Sequence, residues 1–361
     1  MQEIFPENGI DFTVHYMAHI EPNRKWIIPE DSYKYKYKIH KGLHPAFGRF
    51  YAHFNPSIIT LLLKKDYDFV IIGGMGSPSH WLSSLLTPKS KFQIMSIESN
   101  LHSTNRKDGI GAWFKRLLLK RANAFQVTGK PQIEYINYFD PKSKNKKFIK
   151  LPNLIDEKIF RDQVKKVSAN RHSLRNDLKL DEKTQAWILP AQLIELKGIM
   201  PFLKLLRGIQ NIKVFILGDG ILKKTIQEEI DTYNLPVVLE GYLQQDRMID
   251  FYAIADLFVL PSLKDSSPLT PIEACAASLP ILVSSRIGNV EDVLTENLNG
   301  WKYDPIDEEI KGKEIISEIA RLTLSDLKTK GKKSLEIYNL KFDTKKRIQE
   351  YAVSLKNLLK N

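Results

Sequence analysis

Cysteine is almost missing from these 361 residues: Cys275 stands alone, no disulfide can close within the chain, and a reducing cytoplasm is the expected setting. Long apolar runs are missing too. None approaches the ~18 residues that cross a bilayer, and no charged-then-apolar leader opens the sequence, so the expectation is a soluble protein, not an integral membrane one. Zinc-ligand clusters, aromatic RNA-binding signatures and basic heptads are also absent. That matters because 54 Lys and Arg against 42 Asp and Glu give a formal charge of +12, which calls for an anionic partner. Nucleic acid is the least favoured such partner; phospholipid headgroups and phosphorylated substrates remain.

A hydrophobic fraction of 43% over this length is enough for two α/β domains, each with its own core. Short apolar runs at 12–17, 69–72, 92–97 and 124–127 read as strands, alternating with amphipathic stretches as in β-α-β units. Between the last two, Ile110, Trp113, Phe114, Leu117 and Leu118 recur at helical spacing over 108–121. A lysine-rich stretch at 142–147 precedes Leu151-Pro-Asn-Leu-Ile-Asp156, and polar residues run from there to about Thr184. A second series follows, with strands expected at 186–193, 213–217, 237–240, 256–260 and 280–284. Ile199, Phe202, Leu203 and Leu206 mark one helix face, and helices fill the chain after Pro305. The domains expected are 1–155 and 156–340, each a doubly wound Rossmann-like sheet.

The most informative segment lies between Leu257 and Trp301. A strand ends at Leu260-Pro-Ser262, then come Asp265, Pro268-Leu-Thr270 and Glu273, a helix, and another strand. In a doubly wound sheet, ligands sit where strand C-termini meet helix N-termini, because free N–H groups and the helix dipole favour anions there. Two carboxylates bracketing such a loop suit a sugar or ribose, since each carboxylate accepts two hydroxyl hydrogen bonds. The plainer alternative is that Asp265 caps the loop and Glu273 complements the helix dipole.

The segment resembles glycosyltransferase family 4, whose signature is an acidic residue, seven residues and a Glu, here Asp265 to Glu273. The likeness continues through Ile188-Leu-Pro-Ala-Gln-Leu-Ile-Glu-Leu-Lys-Gly198, Val214-Phe-Ile-Leu-Gly-Asp-Gly220, Leu239-Glu-Gly-Tyr242 and Asn299-Gly-Trp301, and through Leu151-Pro-Asn and Phe160 at the interdomain segment. The resemblance implies a GT-B fold: two Rossmann-like domains face a cleft, and a final helix at about 340–361 packs back on the acceptor-side N-terminal domain. It implies retaining transfer from a nucleotide-diphosphate sugar to a glycan or lipid-linked acceptor, in bacterial surface polysaccharide assembly. Glu273 is then expected on the ribose and Asp265 on the transferred sugar. Lys197 and the amides around Pro268, Leu269 and Thr270 meet the diphosphate, Gly218 and Gly220 lie close to the nucleotide, and Tyr242 is near the base. His102 matches the family histidine that touches the donor sugar.

Two departures weaken the donor site. Gln192 stands where the family often has Arg, and Pro268 replaces a frequent Gly and lacks an N–H. A catalytically impaired, sugar-nucleotide-binding relative is therefore one alternative. An NAD- or FAD-dependent oxidoreductase is another: Phe69-Val-Ile-Ile-Gly-Gly-Met-Gly76 follows a strand and Glu98 ends the next. Against it, Ser79 occupies the third glycine position and no hydride-transfer site follows. No cofactor and no metal are expected, since Asp66-Tyr-Asp68 precedes its strand and reads as a solvated turn. The basic helix at 108–121 has two readings, with Trp113 and Leu117 packed inward, or its cations and Lys34 to Lys38 resting on anionic lipid as a peripheral membrane surface. Family members also open with a strand and glycine-rich loop that have no counterpart before Phe12, so a start upstream of Met1 is expected.

Overall fold

The computed structural model describes residues 1, 3–19, 33–47, 50–64, 66–102, 104 and 107–359. The chain divides into two compact units, Met1–Pro152 with Lys345–Asn361, and Asn153–Thr344.

In the first unit, β1 (Thr13–Tyr16) and β2 (Lys36–Ile39) form a parallel pair, and β3 (Ala46–Phe47) and β4 (Phe50–Tyr51) a short antiparallel one. The main sheet is parallel, in the order β5 (Phe69–Ile72), β6 (Phe92–Ile97), β7 (Ala124–Val127), β8 (Lys147–Lys150). Its core gathers Met95, Ile97, Phe125 and Val127 from the strands with Leu118, Leu119, Tyr135 and Phe139 from the helices Gly109–Arg121 and Lys130–Phe139. Among the described residues β5 is an edge strand, and its Ile71 stays 37% exposed. The helix Thr344–Leu359 buries Ile348, Tyr351, Ala352 and Leu355 along one face. Within the first unit, the Tyr351 hydroxyl meets Gln126 Oε1 and its ring stacks on Phe5.

The helix Gly109–Arg121 corrects one expectation. Its buried side chains are Ala112, Leu118 and Leu119, while Trp113 is 61% exposed and Leu117 half-buried. The run Leu117-Leu-Leu119 fits two helical phases, and pattern alone does not choose between them. Packing does choose: Lys115 lies over the Phe139 ring, 4.6 Å from its centroid, and Phe114 meets Trp81 edge to face.

The glycine-containing turn after β5 also resolves. Ser79 is fully buried, and its hydroxyl donates to Asn55 Oδ1 at 2.9 Å while accepting from Asn55 N at 2.8 Å. A hydroxyl at that position is part of a buried hydrogen-bond network, and a glycine would break it. Asp66 and Asp68 are both exposed ahead of β5.

In the second unit the sheet is wholly parallel, in the order β11 (Val237–Gly241), β10 (Ile212–Leu217), β9 (Gln185–Pro190), β12 (Leu257–Leu260), β13 (Ile281–Ser284), β14 (Gly300–Tyr303). Counted within the unit this is 3-2-1-4-5-6, the Rossmann order, and the chain reverses direction between β9 and β12. Successive residues alternate between two cores: Ile188, Phe215, Phe258 and Ile281 on one face, Trp187, Leu189, Val214 and Leu257 on the other. Burial on both faces explains why these strands read as unbroken apolar runs. The expected helix face of Ile199, Phe202, Leu203 and Leu206 is fully buried.

Several departures from the expected boundaries have local reasons. β9 stops at Pro190 because the chain there bends alongside the loop after β10, with Leu193 N bonded to Asp219 O. β12 begins one residue after Asp256, whose carboxylate is occupied by Arg171, Arg175 and the amide of Ala186. The polar stretch before Thr184 folds into helices Glu157–Ser168 and Arg171–Asp177, anchored by only a few buried side chains such as Phe160 and Val164.

Candidate active site

The site in the second unit is built where the sheet reverses. The loop after β9 carries Gln192 and Lys197, and the loop after β12 carries Asp265; they are tied by Leu263 N and Lys264 N donating to Leu196 O. Gly198 makes this crossing possible. It has φ +64°, and a Cβ there would sit 2.1 Å from Pro261 O. At the end of β10, a Cβ on Gly218 would lie 1.9 Å from Ala191 O, and one on Gly220 2.5 Å from Leu193 O. These two glycines therefore have a packing reason to be glycine that needs no nucleotide. Gly300 is similar, 2.0 Å from Ile281 O, so the Asn299-Gly-Trp motif serves the register of β13 and β14.

The crossing brings Lys197 Nζ to Asp265 Oδ2 at 2.5 Å, both side chains half-buried. The loop bearing Asp265 is held on three sides. Asp265 O accepts from Gly288 N at 2.9 Å, Asn153 Nδ2 donates to Ser267 O at 2.8 Å, and the buried Asn289 donates Nδ2 to Pro268 O at 2.8 Å. Sequence reasoning quoted Asn153 within a motif but gave it no task, and passed over Asn289. Pro268 and Pro271 lack N–H groups, which leaves Leu269 and Thr270 as the amide donors between them. Leu269 is exposed and Thr270 begins the helix Thr270–Ala276.

Glu273 lies in the first turn of that helix. Tyr252, from the helix Gln245–Ile254, donates its hydroxyl to Glu273 Oε2 at 2.7 Å. Burial raises the Glu273 carboxyl above its ordinary range, only partly offset by this hydrogen bond, and burial beside the carboxylate pushes Tyr252 well above the ordinary phenol range. Tyr252 was not foreseen from the sequence as the partner of Glu273; an aromatic on an inward helix face gives no signal of what its hydroxyl meets.

The remaining expected residues fall as follows. Gln192 is exposed in the loop after β9, and Tyr242 is exposed just past Gly241, which has φ +76°. His102 belongs to the first unit, exposed in a turn after β6. The structure thus brings together Lys197 and Asp265 directly, with Glu273 one helical turn beyond the Asp265 loop.

Comparison with known proteins meets this geometry. Residues 170–322 match the family model described as glycosyl transferases group 1, a span of less than half the chain that contains the whole switch-point site. A sulfoquinovosyl transferase of Arabidopsis thaliana is 32% identical over 107 residues, 28% of this chain and 20% of that protein. An alpha-galactosylglucosyldiacylglycerol synthase of Streptococcus pneumoniae is 29% identical over 166 residues, 44% and 43% of the two chains. The chain thus matches these curated relatives over less than half of their length. Among solved structures, Anabaena HepE in complex with UDP superposes with a TM-score of 0.70 at 14% identity, covering 90% of this chain and 87% of that one. From the Rossmann strand order and this superposition together, the fold of the chain is GT-B, the two-domain architecture of glycosyltransferases.

Proposed function

We propose that the chain is a retaining glycosyltransferase of family 4 type, which transfers a sugar from a nucleotide-diphosphate donor to a glycan or lipid-linked acceptor. The observation that carries this reading is the Lys197–Asp265 pair at the sheet reversal, with Glu273 following in the next helix. Glycosyl transfer from such a donor is limited by the departure of a diphosphate, so fixed positive charge and amides aimed at the leaving oxygens are what the reaction needs. Lys197 supplies the charge, and the amides of Leu269 and Thr270 supply donors. Asp265, beside Lys197, holds hydroxyls of the transferred sugar, and Glu273 grips the ribose. Lys197 then exchanges part of its bond to Asp265 for the diphosphate, keeping its charge neutralised in both states. The similarity to group 1 glycosyltransferases and to glycolipid synthases supports the donor class and a role in bacterial cell-surface glycan assembly, which the proposal places on the cytoplasmic side of the membrane.

A panel of UDP-, GDP- and ADP-sugars, screened by thermal shift and by donor hydrolysis, tests this, because a bound donor raises the melting temperature by mass action. At least one donor is expected to do both. Gln192 and Pro268 favour a second reading, a relative that binds donor without turning it over; binding with no hydrolysis or transfer would select it. The role that resemblance gives His102 is tested apart, by His102→Ala, which should lower turnover and leave the donor-induced shift in place.

A further inference from the structure

Tyr252 is 2% exposed on the helix Gln245–Ile254, and its ring meets Phe160 of the helix Glu157–Ser168 edge to face, with 5.3 Å between centroids. Close packing of a rigid ring leaves its hydroxyl little room to move. That hydroxyl donates to Glu273 Oε2 at 2.7 Å. Glu273 is a longer, freer side chain, half-buried in the first turn of Thr270–Ala276, so an anchored donor on one oxygen fixes the direction of its carboxyl. The other oxygen, Oε1, has no hydrogen-bond partner among the described residues. Tyr252 is also the titratable group that acts on this carboxyl: Lys341, from the helix Leu324–Lys341 packed on Thr270–Ala276, bears on Cys275 instead.

We propose that Tyr252 is a positioning residue, which holds the Glu273 carboxylate so that its remaining acceptor positions take the two adjacent hydroxyls of a nucleotide ribose. The inference rests on the donor site proposed above and adds to it a residue that acts through Glu273 without touching the donor. Only the ionised carboxyl accepts from both ribose hydroxyls at once. Burial disfavours that form, and the Tyr252 hydroxyl favours it. Without the hydroxyl, the carboxyl is less fixed in direction and more readily protonated.

Titration calorimetry of the full chain with UDP, GDP and ADP, each beside its deoxyribose analogue, between about pH 5 and pH 8 tests this. The wild type should bind at least one of the three more tightly than its deoxyribose analogue, and bind it more weakly as pH falls through the raised Glu273 value. Tyr252→Phe keeps the ring against Phe160 and removes the hydroxyl. It should bind about tenfold more weakly, begin to weaken at a higher pH, and lose most of the preference for ribose. In a Glu273→Ala background the same substitution should add little. Should Tyr252→Phe fail to fold, fluorotyrosine at position 252 keeps ring and hydroxyl but donates more strongly, and should move the weakening to lower pH. The proposal is overturned by wild-type affinity and pH profile in folded Tyr252→Phe, by a loss equal at every pH that persists in the Glu273→Ala background, or by an unmoved profile with fluorotyrosine. Failure of the donor site itself reads differently and takes the proposal with it: the wild type would bind none of the three, or Glu273→Gln would bind as the wild type does.

Discussion

The Glu273 carboxyl is buried beside the Tyr252 hydroxyl, against the preference of an ionised group for water. Because burial raises its carboxyl pKa, the folded protein holds a proton that the unfolded chain has lost just above pH 4.5. The stability from this proton is complete below that pH and is lost as pH rises through the raised folded value. Glu273→Gln removes the buried charge and keeps an oxygen for Tyr252. It should therefore melt at the same temperature as wild type at pH 7, or higher, while donor turnover falls at least about tenfold, on the order of 1.4 kcal/mol. Lys197→Ala should cost a similar factor in turnover. Near-normal kinetics in both variants would remove the site assignment, and a lower melting temperature for Glu273→Gln would mean that the fold itself relies on the carboxylate.

His80 carries the opposite sign. Burial, with His53 adding to it, pushes its imidazole down to about 4, and its Nδ1 is buried with no hydrogen-bond partner among the described residues. Below pH 6.5 the unfolded chain takes up a proton that the folded one refuses, so stability is lost as pH falls from 6.5 towards 4, by up to about 3 kcal/mol. Urea melts at pH 7 and pH 5 measure this. Replacing His80 with Gln should flatten the difference; an unchanged pH dependence in that variant would place the effect elsewhere.

At the scale of elements, legibility followed burial. β5, β6 and β7 fall on the expected residues, and the strands of the second unit within a few, because strands buried on both faces are apolar throughout and bounded by turns. The outward face of Gly109–Arg121 was misread because three consecutive leucines permit two phases, and β14 was missed because Gly300-Trp-Lys-Tyr303 is short and its glycine serves a backbone approach invisible in sequence. In the candidate site, motif spacing pointed to Lys197, Asp265 and Glu273, of which the fold pairs the first two directly. Tyr252 and Asn289 were not legible, since their contacts join helices and loops distant in the chain. The edge position of β5 yields a prediction: paired on one side only among the described residues, its amides should exchange with deuterium faster than those of β6 and β7. Equal protection across the three strands would show that another segment covers that edge.

For the whole molecule, the chain forms two units with separate cores, and the residues proposed to hold the donor's nucleotide and diphosphate all belong to 153–344. Transfer on this account runs without a metal, so activity should survive a chelator; loss on chelation with rescue by magnesium or manganese would require a different treatment of the diphosphate. Hydrogen exchange of the full chain, with and without a saturating nucleoside diphosphate and in parallel with NAD, reads the central claim most directly. The account predicts slowed exchange with the diphosphate in the loops 191–198 and 261–273 and no effect of NAD. Protection by NAD at the glycine turn 73–79, with those two loops unchanged by the diphosphate, would contradict it.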